Sequence, residues 1–200
     1  MNVQRIDITP AQSRIAALIV LAIGLTSASQ IQAAVDKAAD AAADELAPAR
    51  LSFNDGTAEG KKSIAGAAEF LSFTLPNDGA KVAAIRVHGS RYGMPQPPKE
   101  EFSIYFLNQD LSQTVATKTA PYARFKRGPE SWVVIMFPEP VEVPSDFWVG
   151  LDFHAEQKRG IYLSVDKSTD GSRSRVGQPG KTIRPANVGG DWMIEVVLAK

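Results

Sequence analysis

Phe147-Trp148-Val149-Gly150-Leu151-Asp152-Phe153-His154 is the stretch whose reading decides the fold class. Successive side chains of an extended strand point to opposite faces, so Phe147, Val149, Leu151 and Phe153 share one side and Trp148, Gly150, Asp152 and His154 the other. One apolar face and one mixed face belong to an antiparallel sheet covered on a single side. The next run repeats the pattern, with Ile161, Leu163 and Val165 opposing Tyr162 and Ser164. Ser131–Phe137 differs: it is apolar on both faces and reads as a central strand.

Outward from these runs, residues 50–200 alternate short stretches rich in Val, Ile, Phe, Tyr and Trp with clusters of Gly, Pro, Asn, Asp and Ser, as strands separated by turns do. Further strands are expected over Leu51–Asn54, Glu69–Leu75, Lys81–His88, Phe102–Asn108, Thr114–Lys118 and Trp192–Val197. Asn77-Asp78-Gly79 suits a tight turn, because Asn, Asp and Gly tolerate positive φ. Pro138, Pro140 and Pro144 keep Val141–Val143 out of a sheet centre. No helical pattern follows Pro48. The expectation is all-β: a two-sheet antiparallel β-sandwich, jelly-roll-like, over residues 50–200.

Ahead of this domain lies an address. Met1–Arg14 is polar with two arginines, Ile15–Leu25 is an apolar run of eleven, and Thr26-Ser27-Ala28-Ser29 is small throughout. That order defines a secretory signal peptide over residues 1–29, cut after Ser29, with Ala33 as the second choice. Eleven residues fall short of the roughly 20 that span a bilayer, so no membrane span is expected in the mature protein. Residues 30–49 are Ala-rich with a helical leaning, yet carry only Val35 and Leu46 as large apolar residues, and read as a helical or disordered spacer. The chain is expected to be exported, periplasmic or secreted.

Composition excludes several functions. Among 200 residues, 22 Lys+Arg balance 22 Asp+Glu, which is not the basic footprint of a nucleic-acid binder. The absence of Cys removes disulfides, thiolate nucleophiles and thiolate zinc sites.

Four segments carry a family likeness: Asp55-Gly56-Thr57-Ala58-Glu59-Gly60-Lys61-Lys62-Ser63, Val87-His88-Gly89-Ser90-Arg91-Tyr92-Gly93, Pro97-Pro98-Lys99-Glu100-Glu101-Phe102, and Gly189-Gly190-Asp191-Trp192-Met193-Ile194. Together they resemble bacterial exported β-sandwich domains that occur alone or C-terminal in envelope proteins such as sensor-type membrane metallopeptidases. The resemblance covers Leu51–Lys200. It implies a sandwich and export, and it brings no catalytic residues.

Catalytic and metal constellations are weak. His88, His154 and Asp152 could supply two imidazoles and a carboxylate to a metal, but no His-x-x-x-His or Glu-x-x-His spacing joins them. Ser90 beside His88 lacks a Gly-x-Ser-x-Gly elbow. Asp152, Asp166, Asp110 and Glu101 offer no distinguishable acid pair. Calcium is the one cofactor the loops suit, with Asn54, Asp55 and Asp191 as oxygen ligands if the first and last strands are neighbours. The richest surface is the polar face of the two alternating strands. If they pair, Trp148, Asp152, His154, Tyr162 and Ser164 lie together with a shallow space over Gly150, and Arg86 and His88 join from a third strand. Tyr92, Met94 and Gln96 add a tip on the proline-stiffened stretch Ser90–Glu101. The expectation is a non-catalytic module binding a glycan or an envelope protein. A glycan-directed hydrolase using carboxylates on the sandwich face, or a purely structural accessory domain, are the alternatives.

Overall fold

The computed structural model describes residues 49–76 and 79–199. The expected signal peptide, the spacer up to residue 48, and Asn77 and Asp78 of the expected turn lie outside the described residues. Two antiparallel sheets face each other. Sheet A contains β1 (Arg50–Leu51), β2 (Gly60–Lys62), β4 (Lys81–Gly93), β7 (Ser131–Glu142), β9 (Arg159–Asp166), β12 (Asp191–Trp192) and β13 (Ile194–Leu198). Sheet B runs in the order β11 (Ile183–Pro185), β10 (Ser174–Gly177), β3 (Ala68–Thr74), β8 (Asp146–Asp152), β5 (Glu101–Asn108) and β6 (Thr114–Pro121). The all-β sandwich is therefore as expected. The described residues include one 3-10 turn, Tyr122–Arg124, and no helix long and apolar enough to cross a membrane.

Period-two alternation builds the core. Phe147, Val149, Leu151 and Phe153 from sheet B meet Ile85, Val87, Ile161, Leu163 and Val165 from sheet A, all buried. Aromatic rings knit one end: Phe102 lies 5.0 Å from Phe153, 5.8 Å from Tyr122 and 5.9 Å from Phe125, centre to centre. Burial pushes the Tyr122 phenol up to about 12, with Asp152 adding to the rise.

The connections explain where the sequence reading of pairing fails. The chain leaves its sheet at every step between β2 and β12 except the β5–β6 and β10–β11 hairpins. The two alternating strands, β8 and β9, would share one polar face only as neighbours. They instead lie in opposite sheets, β8 between β3 and β5, and β9 against β4, β2 and β12. Asp152 Oδ1 accepts the His154 N–H at 2.9 Å, and His154 adopts φ 42°, so the chain turns across the sandwich rather than back along it.

β7 is a second correction. Its partner among the described residues is β4 alone, so it is an edge strand, not a central one. Val134 is 44% and Met136 66% exposed. Both belong to its outward face, opposite the buried Ile135 and Phe137. The expected strand Leu51–Asn54 shrinks to β1, and the expected strand from Lys81 extends to Gly93, which places Tyr92 in a strand rather than a loop. β2, β10 and β11 are short and had no apolar run to announce them.

Candidate functional site

The outer faces of the two sheets divide the expected site residues. Arg86, His88, Tyr92 and Tyr162 come together on sheet A. Trp148 and Asp152 belong to sheet B, and His154 follows β8 at one end of the sandwich. The expected single face holding Trp148 beside Tyr162 does not form, because β8 and β9 do not pair.

On sheet A, β4 presents Arg86, His88, Ser90 and Tyr92 outward, since Ile85, Val87 and Gly89 face the core. Register sets Trp132 of β7 opposite His88, Glu195 of β13 opposite Arg86, and Tyr162 of β9 opposite Ser90. The Trp132 and His88 rings meet edge to face at 5.1 Å, and Tyr92 and Tyr162 lie 4.5 Å apart. Four half-buried rings thus line one face, with His88 and Tyr92 spaced by roughly 13 Å of strand.

Polar groups fix these rings. The Arg86 guanidinium lies 4.8 Å from the Trp132 ring centre and binds Glu195 at 2.5 Å. Arg50 adds a contact to Glu195 at 3.6 Å, and Asn54 donates to its other oxygen at 3.4 Å. Glu130 accepts from Ser90 at 2.8 Å and from Lys61 at 2.5 Å, and Lys61 lies 5.2 Å from the Tyr162 ring centre. The Lys61 ammonium, opposed by partial burial and helped by Ser90, holds the Glu130 carboxyl below its ordinary range. His88 Nδ1 and Ser164 Oγ are 2.9 Å apart. Burial lowers the His88 pKa against the pull of Glu130 and Glu195, so the imidazole is neutral at neutral pH.

Sheet B has a different outer face. Phe70, Ala68 and Leu107 are buried there under Trp148, Tyr105, Leu111 and Ile183 as a small second core. The expected open space over Gly150 is filled by the Phe70 ring, which lies where a Cβ of residue 150 would project. Trp148 donates its indole N–H to the Gln109 carbonyl at 2.9 Å and carries the Arg175 guanidinium at 5.4 Å. A shallow recess of about 190 Å³ beside it is lined by Ser72, Thr74, Gln109 and Asp146.

The calcium ligand set is not assembled as expected. Asp191 spends its carboxylate on the Ser174 hydroxyl at 2.7 Å and the Arg173 N–H at 3.1 Å. Asn54 turns to Glu195 and to the Gly56 N–H. Asp55 instead meets Glu59 and Asp166, with their ligand atoms within 4.8 Å of one another. These groups brace loops: Asp166 accepts the Asp55 N–H at 2.8 Å and the Ser168 N–H at 2.7 Å, and Glu59 accepts the Lys167 N–H at 2.8 Å. Burial alone would raise the Asp166 pKa, yet these hydrogen bonds outweigh it and leave the pKa lowered. His88 and His154 do not share a metal-sized cluster with Asp152. Asp152 accepts Gln178 at 3.0 Å, and His154 is exposed.

Sequence reasoning missed Trp132, Glu130, Lys61 and Glu195. Trp132 alternates with Val134 and Met136, and that period was the available signal, hidden because the intervening Val133 and Ile135 made the run look buried on both sides. No known protein-family model matches the chain, and no curated protein is significantly similar to it.

Proposed function

We propose that this chain is an exported, non-catalytic binding module whose outer sheet A face holds a glycan. The observation that carries the reading is the cluster of Trp132, His88, Tyr162 and Tyr92 on one sheet face, with Arg86, Lys61 and Glu130 among the rings and the buried Glu195 holding Arg86. Sugar rings present apolar C–H faces and equatorial hydroxyls. Clustered aromatic rings take the former and fixed charged groups the latter. Both carboxylates are ion-paired, which suits acceptors rather than proton donors.

Glycan-array screening followed by titration of the best polysaccharide tests the reading. Trp132→Ala should weaken binding by roughly 10- to 100-fold, the scale of a central aromatic anchor. Trp148→Ala, on the other sheet, should leave affinity unchanged. Loss on Trp148→Ala with none on Trp132→Ala would move the site to sheet B. The export part of the proposal rests on residues 1–29, and protein sequencing of the envelope fraction should give an N-terminus near Gln30. An intact Met1 there would overturn it.

A further inference from the structure

Edge strands expose unpaired N–H and C=O groups, and proteins guard them with short length, lysine or proline. Most edges here follow that rule. β1 and β12 are two residues long, β2 carries Lys61 and Lys62, β6 carries Lys118 and ends on Pro121, and β11 carries Arg184 and Pro185. β7 breaks it. Ser131-Trp132-Val133-Val134-Ile135-Met136-Phe137 has no charge and no proline, and among the described residues only β4 pairs with it. Protection begins at Pro138-Glu139-Pro140, where the strand bulges: five residues advance between Met136 and Val141 while the partner advances two, from Ala84 to Val82.

We propose that Ser131–Phe137 pairs antiparallel with the same strand of a second copy, about a two-fold axis at Val134. The strand is self-complementary in that register. Val134 faces the partner's Val134, and Trp132 faces the partner's Met136, a thioether against an aromatic ring. Charges agree at the ends. Lys126 and Arg127 precede the strand and Glu139 follows it, all three exposed, while Glu142 beyond it is already held by Lys81. Antiparallel pairing brings the basic end of one copy to the acidic end of the other. Glu130, the acid nearest the basic end, is already neutralised by Lys61. An isologous contact of this kind closes at two copies and does not propagate. Seven paired residues span roughly 24 Å and cover less than a standard interface, so the dimer is reversible, with a Kd on the order of micromolar.

The absence of Cys makes the test direct. Sedimentation velocity from about 0.05 μM to about 100 μM should show wild-type monomer converting to dimer, a range that brackets a Kd on the order of micromolar. Val134→Lys and, independently, Met136→Lys should hold it monomeric. Both positions are exposed, so a folded state checked by near-UV circular dichroism is expected for each. Under mild oxidation Val134→Cys should cross-link to itself rapidly. Met136→Cys should not, because the two copies of that position lie roughly 13 Å apart along the pair, beyond disulfide reach. A monomer at every concentration, a dimer that survives both lysine variants, or Val134→Cys cross-linking no faster than Met136→Cys would each overturn the proposal. The glycan reading fails separately: Met136 lies outside the aromatic row, so the Met136→Lys monomer keeps whatever glycan affinity the face has.

Discussion

Replacing Gly150 with alanine should destabilise the domain by about 3 kcal/mol, the upper end of what an added methyl costs in a packed site. Gly150 lies in the middle of β8 with Phe70 of β3 directly opposite it, and the fully buried Phe70 ring covers the position a Cβ would take. The ring cannot move aside freely, because Leu107, Trp148 and Ile183 pack around the same small cluster. Removing the ring should remove the conflict. In a Phe70→Ala background, itself costing roughly 3–5 kcal/mol, Gly150→Ala should cost less than about 1 kcal/mol. Urea unfolding of the four proteins of this cycle gives the coupling. An equal cost in both backgrounds would show that the clash is not with Phe70.

Glu69→Gln should have the opposite sign. Glu69 is fully buried, its Oε1 accepts the Ile64 N–H at 3.1 Å, and its Oε2 has no partner. Burial raises its pKa well above the ordinary carboxylate range, the Ile64 hydrogen bond opposes this, and the nearby Asp152 charge adds to the rise. A raised folded-state pKa means that the folded protein holds a proton the unfolded chain has released. The stability this proton supports is fully present below the unfolded value, about 4.3, and is lost as pH rises through the folded value. Glutamine keeps the acceptor for Ile64 and cannot ionise. The variant should therefore gain on wild type as pH rises, by roughly 1–3 kcal/mol between about pH 4 and pH 8, the scale of sparing a buried carboxyl its desolvation on ionising. Melting at both pH values measures this. A constant difference across pH would show that Glu69 ionises normally.

Much of the face assignment was legible, and little of the pairing. The alternation of Phe147 to Phe153 identified inward residues correctly, because burial of one strand face is a local property of the sequence. The neighbour of that face is not. Residues 153–158 are about as long as a hairpin loop, and the same length crosses the roughly 10 Å between packed sheets. Composition does not distinguish the two, and the Asp152–His154 turn that decides it is a matter of backbone angle. Hence Trp148 was grouped with Tyr162, while Arg86, His88, Tyr92 and Tyr162 still fell on one surface through β4 and β9. Ser131–Phe137 failed for a related reason. An apolar run says that water is to be avoided, and does not say whether a strand of the same molecule will do the avoiding.

The alternation of the chain between sheets also governs how the domain is made. β5–β6 and β10–β11 can close from near neighbours, whereas β4, against which β7, β9 and β13 all pack, must wait for a strand that ends at Leu198. Arg50 and Leu51 likewise find their partners at Val196 and Val197. Closing loops of that length before any contact rewards them places acquisition of the native state on the order of milliseconds to seconds. A ribosome adds roughly 5–20 residues per second, so for several seconds the emerging polypeptide has no complete sheet A to join. During that interval it remains threadable, which is the state that the export proposed above requires.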